Sequence, residues 1–343
     1  MRAVCVRSLA ASMICLLVAA AVPGAAVAQV ATDTVASIRA RGDLVCGVSG
    51  ISPGFSVLDG SNWRGLDVDY CRAVASVVLG NADRVRFVVA SASRRFEMLG
   101  TGEIDLLARS TTWTLEREAG REIAFVGVSY YDGQGFLVRR DGGIGSARQL
   151  EGATICVGTA TTTERNLVEW GRSMRLRFTV VALEYREAVA AFFEQRCDAL
   201  TSDSSALAAL RAAQGLRRNL YALMPEVISK EPLGPAVRKG DWRFFDVVRW
   251  THFALLAAEE IGVTRATIDE ARDSPNPDVQ RLFGRVGQSG IALGLDADWG
   301  ARLVRQVGNY GEIWERNIEP LGVRRGPNLL WLHGGLHYAP PMR

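Results

Sequence analysis

Apolar and polar positions along this chain change period repeatedly, and each change marks an element. Residues 43–49 have the nearly unbroken apolar character of a buried strand. Residues 66–79 switch to the helical period, with Leu66, Tyr70, Val74 and Val77/Val78 on one stripe. A strand, a short helix and a strand follow at 85–90, 94–99 and 104–108. This β-α-β-α-β rhythm predicts a parallel sheet with helices on both faces. Residues 123–139 read as one long crossing strand. A second unit repeats the rhythm, with strands at 153–157, 176–183 and 198–201 and helices at 162–170, 187–195 and 204–213. Short strands at 220–223 and 234–237 precede an amphipathic helix at 242–261, which opens an all-helical final third. The Gly-, Pro- and aromatic-rich residues 328–343 predict a tail strapped against the fold.

The first 28 residues do not join this pattern. Arg2 and Arg7 precede an apolar run at 8–22 and the small-residue triplet Ala26-Val27-Ala28. That is the order of a secretory signal cleaved near Ala28/Gln29, and the run is shorter than the roughly 20 residues of a membrane span. Cys15 follows Ile14 without a small-residue lipobox, so no lipid anchor is expected. The remaining length suits two domains at about 150 residues each. Lys+Arg number 40 and Asp+Glu 37, a net +3 that falls to +1 once Arg2 and Arg7 are gone (38 − 37). Such a balance carries no nucleic-acid footprint. The mature chain is expected to be exported, without membrane insertion.

Export bears on the cysteines. Cys46, Cys71, Cys156 and Cys197 remain after cleavage, and four cysteines allow three pairings. No CxxC occurs, and His252, His333 and His337 lie far from every cysteine in sequence, so no metal is expected. Other chemistry is also missing. Neither Lys230 nor Lys239 sits in a phosphate-binding loop, and no GxGxxG, GxSxG, HExxH or SxxK is present. Nothing calls for a cofactor, and binding is favoured over catalysis.

Several runs carry a resemblance. Gly65-Leu66-Asp67-Val68-Asp69-Tyr70, followed by Val74-Ala75, resembles the signature of periplasmic solute-binding proteins of the polar amino-acid class. The run 105–117, ending in Arg117, and then Ile123-Ala124-Phe125 look like the family segment that ends in its ligand-binding arginine. Residues 130–136, 229–238, 308–312 and Tyr338-Ala339-Pro340-Pro341 are similar to the general L-amino-acid-binding subfamily of ABC transporters. The resemblance covers nearly all of the mature chain. It implies an α/β fold of two lobes joined by two crossing strands, the Venus-flytrap form, with an extra helical C-terminal region. Lobe one would be 29–135 with 235–343, and lobe two 136–234. The implied function is non-enzymatic: capture of a free L-amino acid in the interlobe cleft and delivery, as a monomer, to an inner-membrane ABC permease. The alternative is an enzyme on the same fold, such as a cyclohexadienyl or arogenate dehydratase, for which Glu116 or Glu164 would have to serve as acid or base.

An amino acid brings a carboxylate and an ammonium, and burying either unpaired costs several kcal/mol. Arg117 is placed by the resemblance on the α-carboxylate, which its planar fork fits. Ser110 and Thr112 precede it and offer hydroxyls. Thr161 and Glu164 have capping-box spacing at a helix start, where Thr161 and Thr162 would grip the same carboxylate. Ala160 stands where relatives usually carry Gly, so a positive φ there would be strained. Asp203 matches the acceptor for the ammonium, or else is a helix N-cap. Phe55 either covers the ligand side chain or belongs to the core, and Arg109 either shapes side-chain preference or faces water. Within the implied lobes, Cys46 and Cys71 lie on a strand and the next helix, and Cys156 and Cys197 flank strands of the other unit. Pairing across lobes would tie bodies that must move, so the expected disulfides are 46–71 and 156–197.

Overall fold

The structure, a computed structural model, describes residues 33–343. The expected signal segment, 1–28, lies outside the described residues. Helix α1 (Thr34–Arg41) leads into β1 (Leu44–Val48) and a small meander, β2 (Ile51–Ser52), β3 (Ser56–Asp59) and β4 (Asn62–Arg64). Then come α2 (Leu66–Leu79), β5 (Val85–Val89), α3 (Arg95–Thr101), β6 (Leu106–Leu107), α4 (Leu115–Gly120) and β7 (Ile123–Phe125). Strand β8 (Tyr130–Arg139) crosses to a second unit: β9 (Thr154–Gly158), α5 (Thr162–Met174), β10 (Thr179–Leu183), α6 (Tyr185–Phe193), β11 (Ala199–Asp203), α7 (Ser204–Ala213) and β12 (Tyr221–Leu223). Strand β13 (Ser229–Leu233) returns to β14 (Ala236–Arg238). The last third is helical: α8 (Trp242–Glu260), α9 (Ile268–Ala271), α10 (Pro277–Leu282), α11 (Ser289–Leu293), α12 (Trp299–Val307) and α13 (Tyr310–Asn317).

One sheet has the order β5-β1-β6-β14-β7, and the other β10-β9-β11-β8-β12 with β13 also paired to β8. These are the two α/β lobes, and β8 and β13, antiparallel partners, cross between them. The 123–139 run is not one strand, because β7 ends at Phe125 and β8 begins at Tyr130. The gap falls where the crossing segments approach closely. A Cβ on Gly234 would stand 2.1 Å from the Gly127 carbonyl oxygen, so only glycine fits there. The meander at 51–64 and strand β13 were not evident from periodicity. The first is too short for a pattern, and the second mixes Lys230, Glu231 and Pro232.

Helix α2 is buried on nearly every side rather than along one stripe. Its second face is covered by α8, α12 and α13, which is why Ala73, Ala75 and Ser76 are small. Asp67 and Asp69 are likewise not a solvated first turn. Asp69 accepts from Arg316 and Asn317 on α13, and Asp67 accepts from Ser110, behind the cleft described below. Cys46 is bonded to Cys71, with Cα atoms 6.1 Å apart, and Cys156 to Cys197, at 5.8 Å. The tail is tied down by Asn328, whose amide donates to the Tyr131 carbonyl and whose Oδ1 accepts from the Tyr131 N–H.

Two buried histidines sit where α2, α8, α13 and the tail meet. The Tyr70 hydroxyl and His252 Nδ1 are 2.7 Å apart, and His337 Nε2 lies 3.0 Å from the Tyr310 hydroxyl. Burial, then the charge of Arg249, pushes His252 down to about 4. Burial, then His252 and Arg325, pushes His337 lower still. A depressed pKa means that the fold holds imidazole neutral while the unfolded chain takes up a proton near pH 6.5. Their contribution is therefore intact above about pH 6.5 and is lost as the pH falls toward 4. The melting temperature should drop over that window, and H252Q should remove part of the drop. An equal drop in H252Q would assign the acid sensitivity elsewhere.

Candidate functional site

The C-terminal ends of parallel strands are where an open α/β sheet leaves room for a ligand. Here the ends of β1 and β6 face those of β9 and β11 across a cleft of about 690 Å³, the open solvent at its mouth included. All seven residues expected at a ligand site line it: Phe55, Ser110, Thr112, Arg117, Thr161, Thr162 and Asp203.

Arg117 is set by the short helix α4, which Thr114 caps by accepting from the Arg117 N–H at 3.2 Å. Its Nη1 donates to the Thr112 carbonyl at 2.8 Å, and its guanidinium lies 5.6 Å from the Phe96 ring centre. Two more arginines share the cleft. Arg109 donates through Nε to the Ala90 carbonyl at 2.6 Å. Arg95, only 2% exposed, donates to the Ala92 carbonyl and, across the cleft, to the Ala160 carbonyl at 3.4 Å. Its buried Nε has no partner. Among the described residues none of the three guanidiniums forms an ion pair. Burial pushes all three below the usual arginine range, and Arg95 is pushed down further by Arg109, Arg117 and Arg121.

Asp203 faces them. It stands at the N-cap position of α7, yet its side chain does not cap the helix. Among the described residues, no group donates to its carboxylate. Burial, and then the charges of Asp132 and Glu231, push that carboxyl well above the usual range. Guanidiniums without an ion-pair partner thus face a carboxyl to which nothing donates.

The hydroxyls are already engaged. The Ser110 N–H and Oγ both donate to Asp67 Oδ2 at 2.9 Å, with Ser110 held at φ 43°. Burial pushes Asp67 up to about 7 against those bonds. Thr112 and Thr162 both donate to Glu231. Thr161 caps α5 by accepting from the Glu164 N–H at 3.1 Å. The expected capping box is only half formed, because Glu164 reaches back to the Ala160 N–H at 2.9 Å rather than to that of Thr161. Ala160 has φ 59°, the left-handed region, where a residue carrying a Cβ is strained. Glu116 is paired with Arg165 at the exposed outer mouth, so neither Glu116 nor Glu164 is poised inside the cleft.

Phe55 is buried at 2% exposure and meets Tyr130 edge-on at 5.1 Å, serving core and cleft wall at once. Sequence reasoning missed Arg95, Ser49, Ser52 and Tyr185, which also line the cleft. For Arg95 there was one signal: no acidic residue stands three or four positions away to pair with it.

The model of bacterial extracellular solute-binding proteins, family 3, matches residues 44–266. The chain belongs to this family. As a solute-binding protein, it is 45% identical over 333 residues to the general L-amino acid-binding periplasmic protein AapJ of Rhizobium johnstonii, covering 95% of this chain and 97% of the relative. It is 44% identical over 331 residues to the glutamate/glutamine/aspartate/asparagine-binding protein BztA of Rhodobacter capsulatus, covering 95% and 96%. Among solved structures, an ABC-transporter periplasmic binding protein of Brucella ovis with glutathione bound superposes with a TM-score of 0.88 at 46% identity. That match covers 91% of this chain and all of the other.

Proposed function

We infer that this solute-binding protein takes free L-amino acids into the interlobe cleft, acidic ones most tightly, and presents them to an ABC permease. The observation that carries this reading is the set of three unpaired guanidiniums facing the undonated carboxylate of Asp203. The ammonium is the missing donor for Asp203, and the α-carboxylate is the partner of Arg117. Arg95 and Arg109 then exceed what a neutral side chain requires, and a side-chain carboxylate balances them. The names of the relatives above support the ligand class: one is a general amino-acid binder, one binds acidic residues and their amides, and one holds a peptide with two carboxylates.

In this reading 29–135 and 235–343 form one lobe and 136–234 the other. The protein acts as a monomer in the periplasm after cleavage near Ala28/Gln29, and it does no chemistry on its ligand. Calorimetry with the twenty amino acids on ligand-stripped protein tests it directly. Glutamate and aspartate should bind most tightly, and prephenate and arogenate should not turn over. Arg95→Met should weaken glutamate and aspartate about thirtyfold, the loss of one buried charged hydrogen-bond partner at about 2 kcal/mol. Glutamine and asparagine should change by no more than a few-fold. An equal loss for all four would place Arg95 on the α-carboxylate instead.

A further inference from the structure

Glu231 belongs to strand β13, one of the two crossing strands, and is fully buried. Its Oε2 accepts from Thr112 Oγ1 at 2.6 Å and from Thr162 Oγ1 at 2.9 Å. Its Oε1 accepts from Asn166 Nδ2 at 2.7 Å and from Ser229 Oγ at 2.6 Å. A carboxylate offers about four acceptor sites, and all four are filled here without an ion pair.

The donors come from three places. Thr112 lies on the loop between β6 and α4, on the side of the first sheet. Thr162 and Asn166 lie in the first turns of α5, on the side of the second. Ser229 is on the crossing strand itself. Thr112 and Thr162 are also within 3.2 Å of each other. We propose that Glu231 is a positioning residue that latches the two lobes closed from the hinge, whether or not a ligand is present.

Any opening parts Thr112 from Thr162 and Asn166, so Glu231 loses donors from one side or the other, and a buried carboxylate left partly satisfied is costly. The latch therefore favours closure in the ligand-free protein. It also directs the protons of Thr112 and Thr162 at Glu231, so these hydroxyls present lone pairs to the cleft while Arg117 supplies the donors for a carboxylate. This inference rests on the cleft being the ligand site only for its effect on affinity, since closure can be read without ligand.

The test is pulsed electron paramagnetic resonance on ligand-stripped protein, with spin labels at the exposed positions Glu97 and Arg172 on opposite sides of the cleft. The wild type should show a short-distance population before any ligand is added. In E231A the ratio of closed to open should fall about tenfold, as expected for losing hydrogen bonds to a buried charge. Affinity for every amino acid should weaken by a similar factor. N166A removes one donor from α5 without touching the inner cleft and puts a good helix former in its place, so it serves if E231A does not fold. It should shift the same ratio in the same direction.

A wild type that is fully open without ligand would overturn the latch. So would a variant whose affinity falls while its closed fraction stays at the wild-type value, because a merely structural or directly ligand-bound Glu231 would behave in that way. Absence of amino-acid binding by the wild type would sink the functional reading alone, and the distance measurement would still decide the latch.

Discussion

Replacing Arg117 by alanine will weaken every amino-acid ligand by at least ~2 kcal/mol, about thirtyfold in affinity. Arg117 is bonded to the hydroxyl-bearing loop through the Thr112 carbonyl, and it keeps free donors after that single bond. Truncation leaves the α-carboxylate in a desolvated cleft without its bidentate partner, so the loss falls on all ligands alike. Asp203→Asn tests the other pole. The shape is kept, the charge is lost, and every α-ammonium ligand should suffer. A loss confined to one side-chain class would mean that Asp203 reads the side chain. Calorimetry on ligand-stripped, correctly folded variants decides both. Wild-type affinity in folded R117A would remove Arg117 from the site.

Removing the disulfides as alanine pairs will destabilise the protein by ~3.5 kcal/mol for Cys46/Cys71 and ~4 kcal/mol for Cys156/Cys197, from loops with sequence separations of 25 and 41. Each bond ties one lobe internally: the first joins β1 to α2, and the second joins β9 to the turn before β11. Neither spans the hinge, so ligand affinity should change far less than stability does. Differential scanning calorimetry reads the loss, and non-reducing peptide mapping of the wild type reads the pairing. A linked peptide spanning the lobes, or an unchanged melting temperature in both double variants, would overturn this account.

The fold was legible wherever burial imposes a period. Strands β1, β5, β9 and β11 and helices α2, α5 and α7 fall close to the expected residues, because each presents apolar side chains to a sheet face or a core stripe. Legibility failed where partners come from afar. Lys230-Glu231-Pro232 looks like a polar turn, yet Glu231 is buried because Thr112, Thr162 and Asn166 converge on it from both lobes. Helix α2 looked one-sided because the helices that cover its other face lie more than 160 residues later. The candidate site divides in the same way. The seven expected residues meet in one cleft, whereas Arg95 begins a short helix whose only sequence hint was its missing acidic partner, and the tertiary fold draws it there.

The interleaved first sheet also fixes an order of events for a chain that emerges from its amino terminus. The second sheet spans 130–233, so it can be complete as soon as Leu233 has appeared. The first cannot, because β14 must slip between β6 and β7, and α2 stays uncovered until α8, α12 and α13 arrive. The earliest-made lobe is thus the last to finish, and the clip from Asn328 to Tyr131 closes only when the tail is free. For most of its synthesis the nascent chain carries an apolar strand and an apolar helix with nothing to cover them. Such a species is prone to aggregate until the final third is available.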